Sequence, residues 1–202
     1  ALAAGLPFEA CVHLANHAAG IVVAKPGAAS VTRAELAGVL QESTRSHGRV
    51  CTRSELKQRI ARWKAEKKRV VFTNGCFDLL HAGHVTYLRE ARAQGDVLVV
   101  GVNEDASVRR MKGPERPLNT CADRMTVLAA LEMVDALTSF AEDTPLEIIQ
   151  ELTPDVLVKG ADWATKGVVG REWVERHGGK VVLAELVPGK STTSLVERLK
   201  AK

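Results

Sequence analysis

The sequence lacks paired cysteines, a long apolar run and a dense block of basic residues. Its cysteines lie far apart, which excludes a disulfide framework; they are Cys11, Cys51, Cys76 and Cys121. No apolar stretch has the length of a membrane span or the form of a signal peptide. These absences predict a cytoplasmic protein with reduced thiols and no membrane partner.

The balance of charge permits an anionic ligand but does not indicate a nucleic acid. The net charge is +4 over 202 residues, and lysine and arginine are scattered apart from a short run in residues 64–69. With 46% hydrophobic and 26% charged residues, the composition is not typical of disorder. The chain is long enough for one α/β domain with a buried core and a smaller segment beside it.

From about residue 50 onward, short apolar runs alternate with helical patterns. Thr52 and Glu55 have the form of a capping box, and Leu56, Ile60 and Trp63 follow on one helical face. The apolar runs predict strands at 69–73, 97–102, 136–140, 155–159 and 180–184, and further helices are predicted at 122–131, 145–152, 169–176 and from residue 191. This alternation is typical of a Rossmann-like α/β fold, a parallel sheet of about five strands with helices on both faces.

Two histidines follow the first predicted strand after a glycine turn, within residues 70–84. His81 and His84 are three residues apart at the start of a helix, so they share a face above the strand end. The N–H groups and the dipole of that helix end favour an anion. The pattern predicts a phosphate site with two imidazoles. Two other interpretations stay open: structural histidines in the core, or a metal site formed by Asp78 with both histidines.

Other candidate phosphate ligands follow later strands. Residues 103–119 are predicted as a basic flap in which Lys112 reaches the triphosphate. Lys159 ends a buried strand, where a lysine is costly unless it meets an anion, and Asp162 shares its loop. Arg124 opens a predicted helix and is a further candidate for the substrate phosphate.

The last predicted helix opens with Gly189-Lys-Ser-Thr-Thr. A P-loop would need glycine five residues earlier, but position 184 is alanine. The segment is therefore interpreted as a Ser/Thr-rich helix start that holds phosphate through hydroxyl and backbone N–H groups.

Residues 72–84, with a Gly-x-Phe-Asp loop and a His-x-Gly-His helix start, resemble the nucleotidyltransferase superfamily. Lys112-Gly-Pro, Val158-Lys-Gly-Ala-Asp-Trp and Ser191-Thr-Thr with Arg198 extend the likeness. Residues 50–202 as a whole are similar to the adenylyltransferase half of the bifunctional heptose-phosphate kinase/adenylyltransferases. Two departures from that pattern, Trp163 and Lys190, bear on the choice of sugar or base.

The resemblance implies transfer of AMP from ATP to D-glycero-β-D-manno-heptose 1-phosphate, which yields ADP-heptose for lipopolysaccharide synthesis and releases pyrophosphate. It implies Mg²⁺ as the ion that accompanies ATP. The implied catalytic residues are His81, His84 and Lys112, and the implied ligands of the substrate phosphate are Lys159, Asp162 and Arg124. The implied nucleotide-binding residues are Thr73, Asn74, Gly75, Phe77, Asp78, Ser191, Thr192, Thr193 and Arg198.

Residues 1–44 are predicted as a separate, mainly helical segment that ends in a linker. They are similar to the last helices of the ribokinase-like sugar kinases, but the Gly-rich anion hole and catalytic base of that family are absent. We therefore expect no kinase activity in this chain. The polar stretch 41–49 is predicted as the linker, and the lack of methionine at position 1 indicates a processed chain or a piece of a longer one. A homodimer or association with a kinase domain is expected.

Two other functions stay open at this point. A cytidylyltransferase for glycerol 3-phosphate or a related alcohol phosphate would share the histidine pair and the Ser-Thr-Thr helix. A nucleotide-binding or assembly module without turnover is the alternative of another class, and the intact histidines and Lys112 argue against it.

Overall fold

The computed structural model describes residues 8–25, 29–37, 49–165 and 167–185, together with Gly5 and Gly27. The chain forms two compact units, Ala1–Gly48 and Arg49–Lys202. Residues 41–48 of the predicted linker and the predicted helix from residue 191 lie outside the described residues.

The first unit is helical where it is described. Helix α1 spans Phe8–Val23, and residues 33–37 are also helical. The interpretation of residues 1–44 as a kinase remnant stays a prediction, as does the assignment of residues 50–202 to a nucleotidyltransferase domain with those bounds.

The second unit is built on a five-stranded sheet in which all neighbouring strands are parallel. The strands are β1 (Val70–Gly75), β2 (Val97–Asn103), β3 (Ala136–Phe140), β4 (Val156–Gly160) and β5 (Lys180–Ala184). Their order across the sheet is β3-β2-β1-β4-β5. This confirms the predicted Rossmann-like fold, and each strand lies within about two residues of its predicted bounds.

Helices cover both faces of the sheet. They are α2 (Arg53–Ala65), α3 (Ala82–Arg92), α4 (Asp105–Lys112), α5 (Cys121–Ala129), α6 (Leu146–Leu152) and α7 (Arg171–Arg176), and a short 3₁₀ turn, Ala161–Trp163, follows β4. Val71 packs with the side of the sheet that α3 and α5 cover, and its neighbour Phe72 packs with the side that α2, α6 and α7 cover. This follows from the strand geometry, because successive side chains point to opposite faces.

Helix α2 begins as the sequence predicts. The Thr52 hydroxyl accepts a hydrogen bond from the Glu55 N–H at 3.3 Å, and the Glu55 carboxylate accepts one from the Thr52 N–H at 2.8 Å. The predicted capping box is therefore confirmed. Leu56 and Ile60 are buried on the sheet side of this helix.

The flap predicted for residues 103–119 is wrong in its first half, which forms α4. The buried residues of this helix are Ser107 and Val108, so it has little apolar periodicity to reveal it. Its charges favour a helix instead: Asp105 lies in the first turn, and Lys112 and two arginines lie in the last, as the helix dipole prefers. A loop connects α4 to the cap of α5 at Thr120.

The topology places the candidate site. The chain leaves β1 toward β2 on one side of the sheet and later reaches β4 on the other side of β1. Ligands of such sheets bind outside the carboxyl ends of the strands at this switch point. The carboxyl ends of β1 and β4, at Gly75 and Gly160, are therefore the expected position of the site.

Candidate active site

His81 and His84 lie where the loop after β1 runs into α3. His81 caps the start of α3 with extended backbone angles, φ −143° and ψ 169°. The two imidazole rings stack, with centroids 3.8 Å apart and planes inclined by 26°. The spacing of three residues thus brings both rings onto one face of the helix start.

His84 is held as a neutral imidazole. Burial and, to a smaller extent, the neighbouring His81 and Lys112 together lower its pKa to about 4, against a smaller opposing effect of a hydrogen bond with the Leu79 backbone. The buried Nδ1 atom of His84 has no hydrogen-bond partner among the described residues. Buried polar atoms normally have a partner, so this atom is available to a ligand or a water molecule.

The wall beside His84 is formed by Phe77. Its ring meets the His84 ring edge-on, with centroids 5.4 Å apart and planes inclined by 62°. Phe77 has a left-handed φ of 47°, and a Cβ at Gly75 would approach its ring to 3.1 Å. Glycine at position 75 therefore leaves room for the ring. Contact of either residue with a nucleotide stays a prediction.

The Asp78 carboxylate binds the loop after α4. It accepts hydrogen bonds from Arg116 Nε at 2.5 Å, from the Leu118 N–H at 2.7 Å and from the Asn119 N–H at 3.1 Å. The Asp78 side chain is only 1% exposed. Its predicted role as a nucleotide ligand is therefore not supported by the geometry, because the chain itself occupies the carboxylate.

A metal site at the histidines is also not supported. In the ranges that the structure describes, no group of three or more His, Cys, Asp or Glu side chains is placed to hold a metal ion. Asp78, the third ligand of that alternative, is bound to Arg116 instead.

The geometry does not support the prediction that Arg124 binds the substrate phosphate. Its guanidinium donates to the carbonyls of Asn119, Cys76 and Asn103 at 3.0, 2.5 and 2.8 Å, and to the Asp105 carboxylate at 2.8 Å. Its side chain is 1% exposed. Because the chain takes up most of its donors in a buried position, Arg124 holds the loops of the site together and does not face a substrate phosphate.

Lys159 ends β4 beside the carboxyl end of β1. Its buried ammonium donates to Oδ1 of Asn74 and lies 5.2 Å from the centre of the Trp163 ring. Burial lowers the pKa of Lys159 to about 8, and the nearby Asp162 opposes this shift. An anion beside the ammonium would restore its ordinary basicity, so the position suits a phosphate.

Residues 72–197 of the chain match the model of the cytidylyltransferase-like family. The chain belongs to that family. This agrees with the nucleotidyltransferase class that the sequence predicts.

Two curated relatives carry the name "Bifunctional protein HldE". The protein from Magnetococcus marinus is 53% identical over 203 residues, which is 100% of this chain and 42% of the relative. The protein from Trichlorobacter lovleyi is 52% identical over 199 residues, 98% of this chain and 40% of the relative. The chain thus spans about two fifths of these relatives, and the likeness agrees with the predicted resemblance to bifunctional enzymes.

A solved structure was also found, the lipopolysaccharide core biosynthesis protein from Thermoplasma volcanium GSS1. It is 28% identical to the chain and covers 59% of it and 97% of its own chain, with a TM-score of 0.48.

One residue of this cytidylyltransferase-like site was missed from the sequence. The buried hydroxyl of Tyr87 on α3 lies 2.6 Å from Thr73 Oγ1 and donates to the Val158 carbonyl at 3.1 Å. It joins the histidine helix to both β1 and β4. The signal was available, since Tyr87 is the single tyrosine of the chain. Thr73 is fully buried with its hydroxyl bound in this way, so its predicted contact with nucleotide is not supported.

The remaining predicted residues of this family site divide into two groups. Lys112 ends α4, is exposed, and is near enough to lower the pKa of His84. The residues of the last helix lie outside the described residues; they are Ser191, Thr192, Thr193 and Arg198. As for membranes, within the described ranges no helix combines the length and the apolar character needed to cross a bilayer.

Proposed function

We propose that the chain transfers AMP from ATP to D-glycero-β-D-manno-heptose 1-phosphate, forming ADP-heptose and pyrophosphate. The observation that carries the proposal is the stacked pair of His81 and His84 at a helix start on the carboxyl side of β1. The choice of this sugar and of ATP is supported by sequence identities of 53% and 52% to the two HldE proteins and by the resemblance of the motifs.

The proposed reaction needs positioning and charge stabilisation more than proton transfer. A phosphate oxygen of the sugar phosphate attacks the α-phosphorus of ATP, and the bond from that phosphorus to the oxygen of the leaving pyrophosphate breaks. The attacking group is already an anion near neutral pH, so no general base is required. The two imidazoles would donate hydrogen bonds to the α-phosphate as it becomes five-coordinate.

The lysines would supply the positive charge that a neutral His84 does not. Lys159 lies at the end of β4 beside Asn74, where it would bind the phosphate of the sugar. Lys112 at the end of α4 would bind the departing pyrophosphate. This assignment leaves Asp162, which is exposed beside Lys159, as a further candidate to contact the substrate.

Mg²⁺ would enter with ATP. We expect phosphate oxygens and water to be its main ligands, since Mg²⁺ usually keeps several waters when it binds with a nucleotide. When bound, it would neutralise part of the charge on the leaving pyrophosphate. Association with a kinase domain, a homodimer and a cytoplasmic location stay predictions.

Pyrophosphate release tests the proposal directly. ATP and CTP are each supplied with heptose 1-phosphate and with glycerol 3-phosphate, and kcat/KM is measured for the four pairs. We expect ATP with heptose 1-phosphate to be the preferred pair. A higher kcat/KM for CTP with glycerol 3-phosphate would move the chain to the cytidylyltransferase alternative, and ATP binding without turnover of any pair would indicate a non-catalytic module.

A further inference from the structure

The loop between α4 and α5 is tied to the loop that precedes the histidines. Arg116, Leu118 and Asn119 all donate to the buried Asp78 carboxylate. In the reverse direction, the Asn119 side-chain amide donates to the Asp78 carbonyl at 2.7 Å. Four hydrogen bonds thus join Asp78, three residues before His81, to a segment that begins directly after Lys112.

Helix α4 is held at its other end as well. Asp105, the first residue of α4, pairs with Arg124 at 2.8 Å. The same guanidinium binds the Cys76 carbonyl in the histidine loop and the Asn119 carbonyl in the loop after α4. Both ends of the helix that carries Lys112 are therefore attached to the loop between β1 and α3.

Lys112 itself contributes little to its own placement. Its side chain is exposed and makes no ion pair or hydrogen bond with another described residue. Arg110, in contrast, is anchored by the Asp143 carboxylate at 2.6 Å. The position of the Lys112 ammonium relative to the histidines therefore depends on the backbone of α4 and of the loop that follows it.

We propose that Asp78 is a positioning residue, which holds Lys112 at the active site through the loop of residues 113–119. The inference rests on the proposed function, in which Lys112 binds the departing pyrophosphate. Asp78 touches neither substrate in this account. It fixes the distance between the Lys112 ammonium and the His84 ring, because releasing its four hydrogen bonds would let the end of α4 move away from His84.

A double-mutant cycle tests whether Asp78 acts through Lys112. Asp78→Asn keeps the size of the side chain but weakens its acceptors, and we expect kcat to fall about 10-fold, since misplacing a catalytic group by about 1 Å is costly. In a Lys112→Ala background the same change should alter kcat less than about 2-fold, because the group that it positions is gone. An equal fall in both backgrounds would overturn the proposal.

Titration of His84 by NMR in the ligand-free protein supplies a readout that does not depend on activity. Lys112 lowers the pKa of His84, so its release in Asp78→Asn should raise that pKa. Loss of the Asp78 negative charge alone would not raise it, because removing an anion cannot favour the imidazolium. An unchanged or lower pKa in Asp78→Asn would therefore contradict the proposal. If the wild-type chain turned over no substrate, the proposed function would fail while this titration still tested the attachment.

Two further variants complete the experiment. Asp123→Asn is the matched control: this exposed carboxylate binds the Thr120 hydroxyl at 2.6 Å near the end of the same loop, and its change should leave kcat and the His84 pKa as they are. Arg116→Gln breaks the attachment from the loop side, so it carries the test if Asp78→Asn does not fold. Arg116→Gln should lower kcat in the wild-type background and change it less than about 2-fold in the Lys112→Ala background. If the effects of Arg116→Gln and Lys112→Ala on kcat were additive, Arg116 would not act through Lys112.

Discussion

Replacing His84 by alanine separates a catalytic donor from a structural residue. The ring contacts with His81 and Phe77 are lost, which should lower the free energy of unfolding by about 1 kcal/mol. The Nδ1 atom has no hydrogen-bond partner in the described part of the chain, so apart from the hydrogen bond with the Leu79 backbone the change leaves no partner of the ring unsatisfied there. The folded protein should therefore survive the change.

The effect of His84→Ala on catalysis should be much larger than its effect on stability. Removing one preorganised donor from a site where charge develops costs about 10²-fold to 10³-fold in kcat. The affinity for ATP should change less, because the hydrogen bond strengthens only as the phosphorus becomes five-coordinate. His84→Asn keeps an amide donor and should lose less activity than alanine.

The assay measures pyrophosphate release, ATP affinity by calorimetry and the melting temperature on one sample of each variant. His177→Ala is the control, since this exposed histidine packs on Trp173 at the end of α7, with ring centroids 4.2 Å apart. Normal turnover in a folded His84→Ala protein would refute the catalytic role. A protein that unfolds and releases zinc would replace it with a structural metal site.

Three further outcomes are expected. The pKa of His84 lies at about 4 in the folded chain and near 6.5 in an ordinary histidine, so the unfolded chain takes up a proton first as pH falls. The free energy of unfolding should therefore decrease from about pH 6.5 to 4 in denaturant titrations, and it should decrease less in His84→Ala. Lys159→Met removes a buried cation, so KM for the sugar phosphate should rise about 10-fold while the melting temperature is kept or raised; an unchanged KM would contradict its role. Tyr87→Phe leaves the Thr73 hydroxyl and the Val158 carbonyl without this partner, so urea unfolding should show a loss of about 1–3 kcal/mol, and no loss would contradict the bridging role.

The sheet was predictable because β1 to β4 are largely buried and read as apolar runs, and the edge strand β5, although partly exposed, carries a short apolar run as well. The observed bounds of β3 and β5 are those that the runs predict. Helix α4 was not predictable in the same way, since it buries few residues and is stabilised by charges at its ends. Apolar periodicity reports burial, so a mostly exposed helix of eight residues gives little signal.

In the candidate site, too, the sequence predicts local geometry but not contacts between distant residues. The histidine pair was predictable because its geometry depends on a spacing of three residues within one helix start. The partners of Asp78 and Arg124 lie 38 and 48 positions away, at Arg116 and Cys76. A carboxylate or guanidinium in a site motif gives no sign of whether it faces a ligand or a distant loop, and here both bind the chain.

The two lysines of the site differ in how firmly they are held, and the proposed reaction gives them different phosphates to bind. Stacked rings 3.8 Å apart disfavour two imidazolium ions, so in the proposed reaction the histidines would serve as hydrogen-bond donors and the lysines would supply the positive charge. Lys159 is buried on a strand and bound to Asn74, which suits a phosphate that remains in the product. Lys112 is exposed at the end of α4, whose two ends are both attached to the histidine loop, and in the proposed reaction this position suits a pyrophosphate that must leave. A lysine that was both buried and fixed at that second position would stabilise the departing group after the bond had broken and would slow its release.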